Sequence, residues 1–164
     1  MSESTVGYLE GTGGVRVAYR CWENQAPRGN VVCVHGLGEH SGRYQALAGA
    51  IAPVGLNLFA IDMRGHGLTR GRRGHIDRFD DLLRDLDRLR RKADGGVVGR
   101  PFFLVGHSLG GLVAGRYAEA FAPDGLRGIG LVAPFVDVAM DVPAWKRSLG
   151  SAADRLVPEL TMDN

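Results

Sequence analysis

Phe102-Phe103-Leu104-Val105-Gly106-His107-Ser108-Leu109-Gly110-Gly111 is the stretch on which the reading of this chain turns. A short apolar run ends in Gly-x-Ser-x-Gly and passes at once into Leu112, Val113, Arg116, Tyr117, Glu119 and Ala120, which recur at helical spacing. The order is strand, tight turn, helix, with a serine at the corner. A serine on so sharp a turn takes up a strained backbone conformation, and side chains two residues to either side would collide with neighbouring elements, hence Gly106 and Gly110. The turn exposes the hydroxyl above a sheet, and the following helix points its N-terminal amides at the same spot. Ser108 is therefore the candidate nucleophile.

Outward from this corner, strands and helices alternate. Upstream, Val6 to Leu9 and Val15 to Trp22 flank a glycine-rich turn and read as a hairpin. Val15, Val17, Tyr19 and Cys21 alternate with Arg16, Ala18 and Arg20, the period of a half-exposed strand. Val31-Val32-Cys33-Val34 is a continuous β-branched run, expected of a strand buried on both faces of a parallel sheet. It ends in His35-Gly36-Leu37-Gly38. Tyr44, Leu47, Ala48 and Ile51 then mark a helix that Pro53 and Gly55 stop. Leu56 to Ile61 is the next buried strand, followed by a loop of glycine, histidine and arginine from Met63 to His75. Phe79, Leu82, Leu83, Leu86 and Leu89 form one face of an amphipathic helix that ends at Gly95 and Gly96. Its other face carries Asp80 to Arg84 and Asp87 to Arg91, a solvated pattern of i,i+4 pairs. Downstream of the serine, Gly128 to Val132 makes a further strand. The alternation implies βαβ units and a mostly parallel sheet with flanking helices, an α/β architecture.

Composition narrows the function classes. In 164 residues, 20 basic side chains are answered by 18 acidic ones, so the net charge of +2 gives no footprint for nucleic acid. Arg72-Arg73 and Arg90-Arg91-Lys92 read as solvated surface clusters. Two cysteines, Cys21 and Cys33, make no disulfide framework and read as reduced and buried. Met1 to Thr5 has neither the basic start nor the apolar core of a signal peptide, no run is long enough to span a membrane, and the reading is a cytoplasmic protein. The histidines and carboxylates show no metal-ligand spacing, and Gly106 to Gly111 lacks the Lys-Ser/Thr ending of a phosphate loop, so neither metal nor cofactor is expected.

Three stretches taken together resemble the monoacylglycerol lipase and lysophospholipase branch of the α/β-hydrolases, grouped with serine aminopeptidases. They are His35-Gly36-Leu37-Gly38-Glu39-His40-Ser41-Gly42-Arg43-Tyr44, Asp62-Met63-Arg64-Gly65-His66-Gly67 and Gly106-His107-Ser108-Leu109-Gly110-Gly111. Thr69 departs mildly from the pattern, which more often has serine there. The resemblance implies that Ser108 attacks an acyl ester of a small molecule or lipid, such as a monoacylglycerol or lysophospholipid. It implies that the amides of Leu37 and Leu109 form the oxyanion hole, with His35, Gly36, Gly38, Gly106 and Gly110 as supporting motif positions. It also implies a division into a core portion over residues 1–140 and the start of a lid over 141–164, through which the protein would touch a membrane surface. The stripe of Trp145, Leu149, Ala152, Ala153 and Leu156 is either that lid or a helix packed on the body.

The same resemblance exposes what is missing. The triad of this family runs Ser, Asp, His, with the last two after the lid. No histidine follows Ser108. The chain thus reads as the N-terminal half of such an enzyme, without the triad acid and base and inactive alone; the alternative is a non-catalytic, degenerate domain or a gene fragment. Of the upstream histidines, His107 is expected to point away from Ser108, His35 to serve structurally, and His66 to shape its loop with Asp62 and Arg64. His40 and His75 read as loop or surface positions. Asp137 follows the last strand and is expected near the edge of the site, but a carboxylate cannot activate a serine without an intervening imidazole. The strand from Gly128 to Val132 is expected to present an apolar sheet edge that drives self-association.

Overall fold

The computed structural model describes residues 3–136. Asp137 and the expected lid segment lie outside the described residues. Six strands form one sheet: β1 (Thr5–Glu10), β2 (Arg16–Trp22), β3 (Gly29–Val34), β4 (Leu56–Ile61), β5 (Phe102–His107) and β6 (Leu126–Val132). Three helices accompany them: α1 (Gln45–Ile51), α2 (Phe79–Asp94) and α3 (Leu109–Phe121). The sheet order is β1-β2-β4-β3-β5-β6, with β4, β3, β5 and β6 parallel and the β1–β2 hairpin antiparallel at one side.

β3 sits at the middle of the parallel part, every residue buried, as its β-branched run requires. Its side chains alternate between two cores. Val32 and Val34 join the core beneath α2 and α3, with Leu86, Leu89, Leu104, Val113 and Tyr117. Val31 and Cys33 join Trp22, Leu58 and Ala48 beneath α1 on the opposite face. Helices thus cover both faces, and the carboxyl ends of β3, β4 and β5 open on one edge, where their loops can meet.

Helix boundaries follow the expected stop signals. α1 runs through a 3-10 turn containing Pro53 and ends at Gly55, with φ of 79°. α2 ends at Gly95, with φ of 59°. Both angles lie in the left-handed region where glycine costs least. Both cysteines are buried free thiols, each with its pKa raised chiefly by burial. Among the described residues, no helix is long and apolar enough to cross a membrane.

Two expectations need correction. β2 is not half-exposed: Val17, Ala18, Tyr19, Cys21 and Trp22 are all buried. Val17, Tyr19 and Cys21 enter the α2–α3 core, Trp22 enters the core beneath α1 on the other face, and the Ala18 amide, beyond the end of β4, donates to the Thr69 hydroxyl. The charged side of α2 is not simply solvated either. Asp81, Asp85, Asp87 and Asp94 are buried. Arg64 inserts between α2 and the hairpin turn, its Nε and Nη2 on the two Asp85 oxygens at 2.7 and 3.1 Å and Nη2 also on the Thr12 carbonyl at 2.7 Å. The expected Asp87–Arg91 pair does form, at 2.7 Å, but Asp87 also accepts from the Tyr117 hydroxyl at 3.0 Å, locking α2 to α3. Arg90, expected at the surface, reaches back to Asp94 at 2.7 Å with little of its side chain exposed.

Candidate active site

Ser108 occupies the corner between β5 and α3 with φ of 49° and ψ of −118°. That conformation is costly for a residue with a Cβ, on the order of 1–3 kcal/mol, and persists only where its surroundings fix it. Here they do. The Ser108 amide donates to the Val132 carbonyl at 3.0 Å, and its carbonyl accepts from Gly111, Phe135 and Leu112 at 2.8, 3.0 and 3.3 Å. The two motif glycines are required by close approach. A Cβ on Gly106 would overlap the Gly110 carbonyl, and a Cβ on Gly110 would overlap the carbonyl oxygens of Val34 and His35 at the end of β3. The absence of side chains therefore lets α3 begin directly against the end of β3. The first two amides of the helix, those of Leu109 and Gly110, precede the first intrahelical bond and stand at the sheet's carboxyl edge.

The loop after β3 closes on the same corner. A Cβ on Gly36 would stand 3.3 Å from the Ser108 Cβ and 3.0 Å from His107 Nδ1. Leu37, at the tip, is 63% exposed, and Gly38 follows with φ of 73°. The loop is held from beneath by His35, fully buried, whose Nε2 accepts from the Met63 amide at 3.0 Å. That bond puts the ring proton on Nδ1, which donates to the Gly36 carbonyl at 2.7 Å. Burial lowers the His35 pKa, so the neutral ring is the form the fold selects. Both nitrogens being engaged, His35 links the loops after β3 and β4 and has no free lone pair for a serine proton.

The third loop is organised by Asp62, whose carboxylate accepts from the Ser41 and Leu68 amides at 2.6 and 2.8 Å. Gly67 packs on that carboxylate, where a Cβ would overlap it. Thr69 fills its position without loss of the hydroxyl's function: Oγ1 accepts from Ala18 and donates to the Asp62 carbonyl at 2.7 Å. His66 donates from Nδ1 to the Arg64 carbonyl and packs its ring 5.2 Å from that of His35.

The His107 ring and the Ser108 Cβ both lie against Gly36. The ring donates from Nδ1 to Glu39 Oε2 at 3.1 Å. His40 accepts from the Gly42 amide and His75 donates to Asp77, both bonds at the surface. Glu39 was legible only as part of the His35–Tyr44 block. An acid three residues after a glycine that opens a turn is the signal that marks it. Its Oε2 accepts from the Gly36 amide at 3.0 Å and its Oε1 meets Arg43 at 3.0 Å. Burial alone would raise its pKa, but the Gly36 amide, His107 and Arg43 more than offset this and hold it below the ordinary carboxylate range.

The arrangement of a strained serine corner, a helix N-terminus and a facing glycine loop has counterparts. Residues 25–164 match the family model for serine aminopeptidase, S33. The monoacylglycerol lipase of Mycolicibacterium smegmatis is 32% identical over 94% of this chain, and the human monoglyceride lipase 35% identical over 79%. The crystal structure of Paleococcus ferrophilus monoacylglycerol lipase superposes with a TM-score of 0.73 at 34% identity, over 90% of this chain. The chain spans about half the length of these proteins: 55%, 43% and 55% respectively.

Proposed function

The chain belongs to the serine aminopeptidase S33 family of α/β-hydrolases, and from that premise we propose that it carries the nucleophile and oxyanion hole of a serine ester hydrolase for monoacylglycerol- or lysophospholipid-like substrates. The observation that carries this reading is the backbone of Ser108, φ 49° at the β5–α3 corner, with Gly36 packed against it. In the reaction Ser108 Oγ attacks the acyl carbonyl carbon, the alcohol leaves, and water releases the acid from the acyl-serine. The amides of Leu37 and Leu109, one from each facing loop, receive the charge that develops on the carbonyl oxygen.

The attack requires that the Ser108 proton be taken up, and the five histidines of the sequence are poorly suited to do so. His35 has both ring nitrogens bonded, His66 lies buried on the Arg64 carbonyl, and His40 and His75 are tied to surface partners. His107 adjoins Ser108 in the chain, and its Nδ1 is bonded to Glu39. The triad acid and base are accordingly assigned to polypeptide other than these 164 residues. The test is reconstitution: adding the C-terminal half of a close relative, which bears the triad Asp and His, should confer hydrolysis of p-nitrophenyl esters that Ser108→Ala abolishes. Activity that survives Ser108→Ala would refute the assignment.

A further inference from the structure

Three contacts converge on one carboxylate beside Ser108. Glu39 Oε2 receives the Gly36 amide at 3.0 Å and His107 Nδ1 at 3.1 Å. Gly36 immediately precedes Leu37, and His107 immediately precedes Ser108. The Glu39 amide also donates to the Gly36 carbonyl at 3.2 Å, closing a tight turn around the loop tip. Oε1 is held from the solvent side by Arg43, and the side chain is only 15% exposed. One side chain therefore spans the two backbone segments on which the proposed oxyanion donor and the nucleophile stand.

We propose that Glu39 is a positioning residue, whose carboxylate sets the distance between the oxyanion loop and the serine corner. This rests on the reading of Leu37 and Ser108 given above. The loop tip has little packing of its own: Leu37 is largely exposed, and Gly38 carries no side chain. An oxyanion hole works only when its donors are fixed where the charge will appear, since donors that must reorganise during the reaction lose much of their effect. His35 fixes the base of the loop from below, and Glu39 fixes its tip from the side.

Position 39 supplies its own controls. In Glu39→Gln the side-chain oxygen can still accept from the Gly36 amide. Glu39→Asp keeps the charge but is one methylene too short to reach it. Glu39→Ala removes the brace. Two readouts on the 164-residue chain separate positioning from mere stability. The first is hydrogen exchange at the Gly36 and Glu39 amides, read by mass spectrometry, which tolerates self-association. The second is the residual turnover of a p-nitrophenyl ester, which without a positioned base comes from the oxyanion hole and substrate binding.

Expected are exchange roughly 10- to 100-fold faster at both amides in the Ala and Asp variants. Their kcat should fall about tenfold or more at unchanged KM, as for loss of an interaction made only in the transition state. Exchange in α2 should not change, and Gln should stay near wild type. The inference is overturned if Asp or Ala leaves loop exchange or kcat unaltered, or if Gln is as damaging as Ala. A drop in kcat that merely follows a fall in Tm, or a wild-type rate no greater than the buffer blank, also overturns it. Residual turnover and exchange do not depend on Ser108 acting as nucleophile. Failure to form a Ser108 adduct in the reconstituted protein would thus remove the nucleophile assignment without being confused with a failure at Glu39.

Discussion

Gly110→Ala and Gly115→Ala place the same methyl group on the same helix and should change stability in opposite directions. At Gly110 the new Cβ overlaps the carbonyl oxygens of Val34 and His35, both backbone atoms of a fully buried strand end that cannot rotate away. Helix α3 must then lift from β3, and overpacking of this kind costs about 1–3 kcal/mol. At Gly115 nothing lies within 4 Å of the added Cβ, so alanine brings only its better helix propensity, about 1 kcal/mol. The two variants should therefore differ by roughly 2–4 kcal/mol, or about 1–2 M in urea midpoint for a chain of this size. Urea unfolding followed by circular dichroism at low protein concentration measures this directly. Gly110→Ala should also slow Ser108 chemistry in reconstituted protein, because lifting α3 moves the Leu109 amide away from the Leu37 loop, whereas Gly115→Ala should leave it unchanged. Equal midpoints for the two variants would refute the close-approach explanation of the motif glycine.

Other consequences follow from individual contacts. Arg64→Ala strands the buried carboxylates of Asp81 and Asp85 and should cost about 3–5 kcal/mol, less whatever Arg88, 3.7 Å from Asp85, recovers; a double-mutant cycle with Asp85→Leu measures the coupling. Thr69→Ser should be nearly silent, whereas Thr69→Val leaves the Ala18 amide and Asp62 carbonyl without their partner and should lower stability by about 1–3 kcal/mol in the same urea assay. His35 has a depressed pKa in the fold, so its contribution is complete above the unfolded value near 6.5 and is lost as pH falls from there toward the folded value. The urea midpoint should accordingly drop between pH 7 and 5, with a shallower drop in His35→Asn. β6 has β5 as its only strand partner among the described residues, with Ile129 and Leu131 41% and 46% exposed. Sedimentation should show concentration-dependent self-association that Leu131→Lys reduces, and a monodisperse monomer at all concentrations would contradict it.

Much of this molecule could be read from residue order alone. Val31 to Val34 reads as a central parallel strand because its β-branched run suits burial on both faces and strand and helix patterns alternate around it. Gly106 and Gly110 mark the corner because an apolar strand run precedes them and a helical pattern follows. What escaped were features whose cause lies far away in sequence. Val17 to Trp22 alternates like a half-exposed strand, yet Trp22 packs beneath α1 on the second face and the Ala18 amide is taken by Thr69, some fifty residues on. The acids of α2 have the spacing of solvated pairs, and nothing local reveals that Arg64 enters from another loop to bury Asp85. Glu39 stood in plain view within its block. Its bond to Gly36 is local, but its contact with His107 spans 68 positions and exists only because β3 and β5 are neighbours. Turn and strand chemistry is written locally, whereas charge burial is decided by packing.

The most direct test of the central claim is the rate and site of fluorophosphonate labelling, followed by intact mass and peptide mapping on the purified 164-residue chain, alone and with a docked C-terminal half of a relative. Alone, the chain should label negligibly, since a serine hydroxyl without a positioned base is barely nucleophilic at neutral pH. With the complementary half it should label at Ser108 and nowhere else, and Ser108→Ala should abolish the adduct. Fast labelling of Ser108 in the chain alone, together with ester turnover of many per second, would contradict the account. One of the five histidines would then be acting as the base, and His35→Ala, despite the two bonds that occupy its ring, would be the first variant to examine.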